Sequence, residues 1–209
     1  MRAVIRPSAT GAAAVVLLLA SISCGDVSRT GRAPSLLIIE SLEAASGAEP
    51  QTFANFLLSD VQTMVEQTVN GADVLVPTIF NDVGQATLRL EMKDQGSPSP
   101  TPINQVKLNR YRIVFRRTDG RNTPGVDVPF GTDGALTVTV GAAPVSVGFE
   151  MVRHQAKLEL PLRPLAGFGG RVFVSTIAEV TFYGVDLAGH EIQTSGTMSV
   201  SFADYADPI

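Results

Sequence analysis

The densest positive charge in the chain lies in Lys107–Arg121, where only one acid, Asp119, interrupts the basic residues. Guanidinium groups form paired hydrogen bonds with carboxylates and phosphates, so such a stretch suits a lipid headgroup, an acidic glycan or an acidic protein partner. Alternatively, these arginines pair with acids on neighbouring strands and keep the outer face of a sheet solvated. Arg110, Arg112 and Arg116 are the candidate residues for an anion-binding row.

The chain offers few residues for catalysis. It has two histidines, His154 and His190, and neither has partners at the spacing of a catalytic triad or a metal site. It contains no Gly-x-Ser-x-Gly elbow, no phosphate-cradling glycine loop and no zinc signature. We therefore predict surface histidines, no catalytic residue, no cofactor and no enzymatic activity.

Aspartates recur in the predicted loops. A Ca²⁺ ion needs about six to eight oxygen ligands, which loop aspartates could supply. The chain has no D-x-D-x-D-G loop, however, and aspartate commonly starts a turn by bonding its own backbone. We predict turn formation and no metal site for these residues, which are Asp119, Asp127, Asp133, Asp186, Asp204 and Asp207.

The first 23 residues have the pattern of a signal peptide. Arg2 and Arg6 precede an apolar run, Gly11–Ile22, which ends at small residues and at Cys24, the single cysteine. Crossing roughly 30 Å of hydrocarbon takes about 20 apolar residues, so this run is too short for a membrane span. The pattern predicts export, with residues 1–23 removed.

The residues around the cysteine, Ser21-Ile22-Ser23-Cys24-Gly25, resemble the lipobox of bacterial lipoproteins. The resemblance implies that the Cys24 thiol receives a diacylglycerol and that Cys24 becomes the first residue of the mature protein. It predicts a protein anchored to a membrane of the bacterial cell envelope. The alternative is ordinary secretory cleavage after Ser23, which leaves Cys24 free; both interpretations export the protein.

Composition narrows the class of partner. Residues 24–209 carry 14 basic and 20 acidic side chains, a balance that argues against nucleic acid, whose phosphates require a basic surface. The single cysteine allows no internal disulfide, and tryptophan is absent. We therefore expect an aliphatic core with a few phenylalanines, in one domain over 35–209. Segment 24–34 is polar and contains glycine, and we predict that it consists of a lipidated cysteine and a flexible tether.

Most of the domain has the pattern of strands. Alternation of apolar and polar residues, with Gly or Pro at the ends, predicts strands, and Gly96–Pro102 predicts a loop. The predicted strands are Ser35–Leu42, Val74–Phe80, Ala86–Lys93, Gln105–Arg117, Leu136–Val140, Val145–Val152, Lys157–Leu162, Arg171–Tyr183 and Glu191–Phe202.

Two stretches need a closer look. Apolar residues in Phe53–Val69 fit one amphipathic helix or a strand; the Asn70-Gly71 turn signal favours a strand hairpin. In Gln105–Arg117 the apolar face changes parity between Leu108 and Tyr111. A β-bulge at Asn109–Arg110 would return all five apolar residues to the core, and Arg110, Arg112 and Arg116 to the outside.

The C-terminal hairpin suggests a family of folds. Tyr183-Gly184-Val185-Asp186, followed by Asp186-Leu187-Ala188-Gly189, resembles the closing strand pair of bacterial immunoglobulin-like domains. The resemblance implies an all-β protein, an immunoglobulin-like antiparallel β-sandwich. Such sandwiches serve as spacers, adhesion modules and binding scaffolds.

Together these observations predict an exported, lipid-anchored, non-enzymatic envelope protein that acts as a structural or binding module. A protein or an envelope glycan is its predicted partner, besides the membrane that holds its anchor. The alternative is a soluble secreted or periplasmic protein whose ligand or catalytic site is assembled from loops.

Overall fold

Extended chain dominates the computed structural model, which describes residues 33–94, 96 and 99–205. The all-β class is confirmed. Its helical segments are short: α1 (His154–Lys157) and the 3-10 turns Pro102–Asn104 and Arg163–Leu165. The strands are β1 (Ser35–Ala45), β2 (Phe56–Asp60), β3 (Thr63–Val69), β4 (Ala72–Thr78), β5 (Asp82–Met92), β6 (Val106–Arg116), β7 (Thr132–Val140), β8 (Val145–Val152), β9 (Val174–Asp186) and β10 (Glu191–Ala203).

The strands form two large sheets and a separate hairpin. One sheet has the order β1-β5-β8, and the other has the order β2-β10-β9-β6-β7. Neighbouring strands run antiparallel except for β2, which runs parallel to β10. Among the strands that the structure describes, β3 and β4 pair with each other and with no other strand.

The two large sheets pack face to face on one hydrophobic core. The Phe149 ring of β8 lies 5.3 Å from the Tyr111 ring of β6 and 5.5 Å from the Phe182 ring of β9, measured between centroids. Aliphatic residues and a few phenylalanines fill the rest of this layer, as predicted. Burial of this apolar surface is the main force that holds the sheets together.

Strand β6 contains the predicted bulge. Its pairing with both β7 and β9 shifts register between Leu108 and Arg110, at Asn109. The extra residue reverses the alternation, and all five apolar side chains face the core: Val106, Leu108, Tyr111, Ile113 and Phe115. The hydrophobic pattern therefore fixed the position of the bulge.

The ambiguous stretch Phe53–Val69 is strand, and the helical alternative is wrong. It forms β2 and β3, with a break at Val61 and Gln62. The hairpin turn also agrees with the prediction: Asn70 and Gly71 both have positive φ, 53° and 82°. A two-residue turn of this kind matches the twist of the flanking strands.

The prediction of a strand over Lys157–Leu162 is wrong. The segment begins in α1 and continues through turns into the 3-10 turn at Arg163–Leu165. Six alternating residues are too few to distinguish a strand from a series of turns. Here the conformation of the segment is set by the buried Lys157 side chain, which forms an ion pair with Asp82 in β5. Elsewhere the predicted strands exist with shifted ends; the strand predicted from Arg171 begins at Val174.

The body has two distinct ends. Strand β1 runs from Ser35, which pairs with Met92, to Ala45, which pairs with Val83. The β3–β4 hairpin leaves the body between Asp60 and Asp82, at the Ala45 end. Eleven extended residues span about 36 Å, so the chain enters at one end and the hairpin emerges at the other. Ala33 is already buried, and the Pro34 carbonyl accepts a hydrogen bond from the Lys93 N–H.

Candidate functional site

The three predicted arginines lie on the outer face of the five-stranded sheet. Arg110, Arg112 and Arg116 are exposed, and the buried residues of β6 alternate with them on its other side. The bulge at Asn109 creates this arrangement, because without it the parity of the strand would not change. The predicted placement of the three side chains is confirmed.

Two of these arginines are engaged by neighbouring strands. The Arg110 guanidinium lies 4.1 Å from the centre of the Tyr183 ring, a cation–π geometry, and 4.0 Å from an Asp133 carboxylate oxygen. Arg116 lies 3.4 Å from Glu179. Exposed pairs of this kind each stabilise a fold by less than about 1 kcal/mol. Pairing with neighbours, the alternative to ligand binding, therefore describes Arg110 and Arg116.

Arg112 differs from both. Among the described residues no acidic side chain forms an ion pair with it, although Asp133 is its register neighbour on β7. On its other side lies Thr181, whose hydroxyl is 2.8 Å from that of Ser195. A guanidinium beside two hydroxyls can donate several hydrogen bonds to one carboxylate or phosphate group. Arg112 is thus the centre of any anion site on this face.

A shallow groove of about 440 Å³ adjoins Arg110 on the same sheet. Its lining combines the bulge residue Asn109, the Tyr183 ring and the polar side chains of Glu191 and Gln193. Amide and carboxylate groups beside this half-buried ring, which Arg110 covers, offer hydrogen bonds to a polar ligand. The groove and Arg112 together form the candidate site.

The loop after β6 holds a compact charge cluster. Both Arg117 and Arg121 donate to one carboxylate oxygen of Asp119, at 2.6 and 2.9 Å between nitrogen and oxygen. The hydrogen bonds from Arg117 and then Arg121 hold the pKa of Asp119 well below its ordinary value. The Asp119 carboxylate is therefore already the anionic partner of both Arg117 and Arg121.

The two histidines occupy different settings. His154 is exposed at the start of α1. His190 follows the last turn, and its Nδ1 lies 2.8 Å from a carboxylate oxygen of Asp186. The other Asp186 oxygen accepts the N–H groups of Ala188 and His190, so this aspartate organises the turn as predicted.

The remaining predicted loop aspartates do not converge. Asp127 accepts the Thr123 N–H, and Asp204 is buried with the Gly167 N–H donating to it. The prediction that Asp133 lies in a loop is wrong, because it is part of strand β7. Asp207 lies outside the described residues. Within those residues, no three His, Cys, Asp or Glu side chains are grouped closely enough to hold a metal ion.

One buried polar cluster was missed by the sequence analysis. The Lys157 Nζ donates to Asp82 at 2.7 Å and to the Asp60 carbonyl at 2.8 Å, and the Ser59 hydroxyl donates to Asp82 at 2.6 Å. Burial raises the pKa of the Asp82 carboxyl, while the Lys157 ammonium opposes that rise. No local pattern marks these residues, because they come from β2, β5 and α1.

An apolar cleft lies beside the outer edge of β2, with a volume of about 370 Å³. The segment that joins β1 to β2 forms one wall, and β2 forms the other. Small, aliphatic and aromatic residues dominate its lining, including Ala44, Ala54, Phe56, Leu58 and Tyr205.

Acidic and basic residues occupy different parts of the chain, and this matters for both the candidate site and the apolar cleft. Residues 33–88 contain no Lys, Arg or His, whereas the Lys and Arg residues from position 89 onward all lie at or before Arg171. The β1, β2, β3 and β4 region is therefore purely acidic, and the basic groups concentrate around β6 and the segment after β8.

The predicted lipidation residue Cys24 and the signal peptide lie outside the described residues. Within the described part of the chain, no helix is long and apolar enough to span a membrane. Comparison with protein-family models, with curated proteins and with solved structures gives no match.

Proposed function

We propose that this chain is an exported, lipid-anchored protein of the bacterial cell envelope that acts without catalysis as a structural or binding module. Cys24 carries the lipid, the segment up to Pro34 contains the tether, and the β domain is displayed from the membrane. The observation that carries the proposal is that the two ends of the domain differ. The chain enters at the Ser35 end, and the far end, about 36 Å away, is free to meet a partner.

We also propose that the domain is an immunoglobulin-like sandwich. The family's sheets have the orders A-B-E-D and C-F-G, and its variable type adds C′ next to C. Assigning A, B and E to β1, β5 and β8 reproduces the order of the first sheet without strand D. Assigning C, C′, F and G to β6, β7, β9 and β10 reproduces the second, with β2 added beside G. This order supports the assignment.

Two polar clusters with catalytic residue types have structural partners instead, which supports a non-enzymatic role. Ser59, Asp82 and Lys157 are buried and bonded to one another, so a substrate could not reach the hydroxyl. The Asp186 carboxylate already accepts the N–H groups of Ala188 and His190 in the turn and lies within hydrogen-bond distance of the His190 ring.

The proposed binding function centres on Arg112 and the adjoining groove. An anionic group on an envelope glycan, a lipid headgroup or a protein partner would meet the Arg112 guanidinium between Arg110 and Arg116.

The alternative function is that of a soluble periplasmic or secreted protein. It is distinguished by the fate of Cys24 rather than by the fold.

The test is incorporation of radiolabelled palmitate in a bacterial host, combined with membrane fractionation. We expect the natural chain to take up label and to sediment with membranes. The Cys24→Ala variant should lose both properties while keeping its β-sheet circular dichroism spectrum. A natural chain that is exported but unlabelled would overturn the lipid anchor and support the soluble alternative.

A further inference from the structure

The β3–β4 hairpin, called the arm below, projects from the body at the end opposite Ser35. Every residue from Glu66 to Leu75 is exposed, and β3 and β4 form a two-stranded sheet of their own. Its strands are seven residues long, about 24 Å, and the half of the arm nearer the turn is exposed.

Such an arm is poorly stable by itself. An isolated two-stranded hairpin is marginal in water, because it lacks a second layer to cover its apolar side chains. Here Val69, Val74 and Leu75 are 46 to 51% exposed, values that leave about half of each side chain in water. A partner that covers one face would remove the part of this cost that comes from that face.

The register of the arm divides its side chains between two faces. Val65 pairs with Val76, Gln67 with Val74, and Val69 with Ala72, so these residues share one side, here called the valine face. The opposite side, the acid face, carries Glu66, whose cross-strand neighbour is Leu75, and Asp73, which accepts the Thr68 hydroxyl at 2.7 Å.

Charge is therefore sorted by face. The valine face has no ionisable side chain, whereas both acids of the arm point to the other side. No basic residue of the arm compensates them, because residues 33–88 contain none. Two acid faces stacked on each other would oppose like charges, but two valine faces can meet with all four acids pointing outward.

We propose that the valine face of the arm is a self-association surface, whose occupant is the valine face of a second copy of this chain. Two arms stack as a pair of two-stranded sheets, with the valines interdigitating at the roughly 10 Å spacing usual for packed sheets. The arrangement is isologous, because the same patch serves on both copies. This inference goes beyond the proposed function and does not depend on lipidation.

The size of the surface predicts its strength. A face about 24 Å long and about 10 Å wide buries on the order of 500 Å² over both copies, below the roughly 1,000 Å² of a stable specific interface. We therefore expect a weak, concentration-dependent dimer. Confinement of many copies to one membrane would raise their effective concentration and favour the paired state.

The experiment is sedimentation velocity on the full chain carrying Cys24→Ala, purified as the cell processes it, which removes lipid from the measurement. Over concentrations from about 10 μM to about 1 mM, we expect the weight-average sedimentation coefficient to rise toward that of a dimer. Val74→Lys should abolish the rise. Leu75→Lys, the adjacent substitution on the acid face, is matched in exposure and should leave it intact.

A second pair of variants guards against local unfolding of the arm. Gln67→Lys introduces a charge on the valine face without removing a valine, and Glu66→Lys changes the charge on the other face. We expect at least tenfold weaker association for Gln67→Lys and no weakening for Glu66→Lys. A monomer at all concentrations, or equal losses on the two faces, would overturn the proposal.

Discussion

The Nζ atom of Lys157 lies 2.7 Å from a carboxylate oxygen of Asp82, and both side chains are buried where α1 meets the start of β5. The same carboxylate accepts the Ser59 hydroxyl and the Gly47 N–H, while the lysine also reaches the Asp60 carbonyl. The cluster therefore ties α1, β2, β5 and the segment after β1 at one point. Its hydrogen bonds satisfy both charges, which is the condition for burying an ion pair.

Replacing Lys157 with Met should destabilise the fold by about 3–5 kcal/mol, because the Asp82 carboxylate is then buried without its partner. Urea unfolding followed by circular dichroism measures the change. Lys107→Met is the control, since Lys107 is exposed on β6 and we expect an effect below about 0.5 kcal/mol. Adding Asp82→Asn to Lys157→Met should recover part of the loss; a single variant as stable as the control would contradict the buried pair.

Gly134 on β7 provides a sharper test of packing. A Cβ atom there would lie 2.2 Å from the Tyr111 ring, which rests over the glycine and contacts Phe149. Gly134→Ala should therefore displace the ring and destabilise the fold by about 1–3 kcal/mol. Gly148→Ala is the matched control, because its Cβ would meet nothing nearer than 3.9 Å. Thermal unfolding of both variants is the measurement, and equal stability would show that the ring moves freely.

Asp186 should make stability depend on pH. Its burial acts to raise its pKa, but hydrogen bonds from the His190 side chain and from the backbone of His190 and Ala188 outweigh this, and the pKa is lowered. The unfolded chain therefore takes up the proton first on acidification. The contribution of Asp186 is present above the unfolded pKa of about 3.9 and is lost as pH falls through the lower folded value.

Asp186→Asn tests this linkage. At pH 7 we expect a loss of about 1–2 kcal/mol, since the charge-assisted hydrogen bonds weaken. The difference between the two proteins should shrink as pH falls below about 4. Urea unfolding at several pH values, from pH 7 to below the ordinary aspartate pKa of about 3.9, is the measurement. Asp133→Asn, an exposed change, should have little effect; a difference for Asp186→Asn that stays constant down to low pH would refute the explanation.

Charge reversal tests the proposed anion site at Arg112. The double variant Arg112→Glu with Arg116→Glu should weaken binding to a carboxylated polysaccharide such as polygalacturonate by at least tenfold, because it removes the free guanidinium and one neighbour. Stability should change by less than about 0.5 kcal/mol, since the Arg116–Glu179 pair is exposed. Calorimetric titration and thermal unfolding give the two values. Unchanged binding would remove the anion site, and a large loss of stability would assign the arginines to the fold.

Local sequence pattern determined much of the architecture. Period-two alternation in β5, β6 and β10 specifies which side chains face the core, because a slip of one residue would expose the whole apolar set. The parity change between Leu108 and Tyr111 located the bulge, and Asn70-Gly71 located the hairpin turn. The outward position of Arg112 followed from the same alternation.

The tertiary structure decided what depends on distant neighbours. Lys157 and Asp82 are 75 residues apart, and nothing near either residue marks it as buried or paired. The same is true of the partners of Arg110 and Arg116, which distinguish them from Arg112 only once β7 and β9 lie beside β6. Strand propensity and turn chemistry act over a few residues and are written in the sequence, whereas burial and charge pairing arise when separate strands are brought into contact.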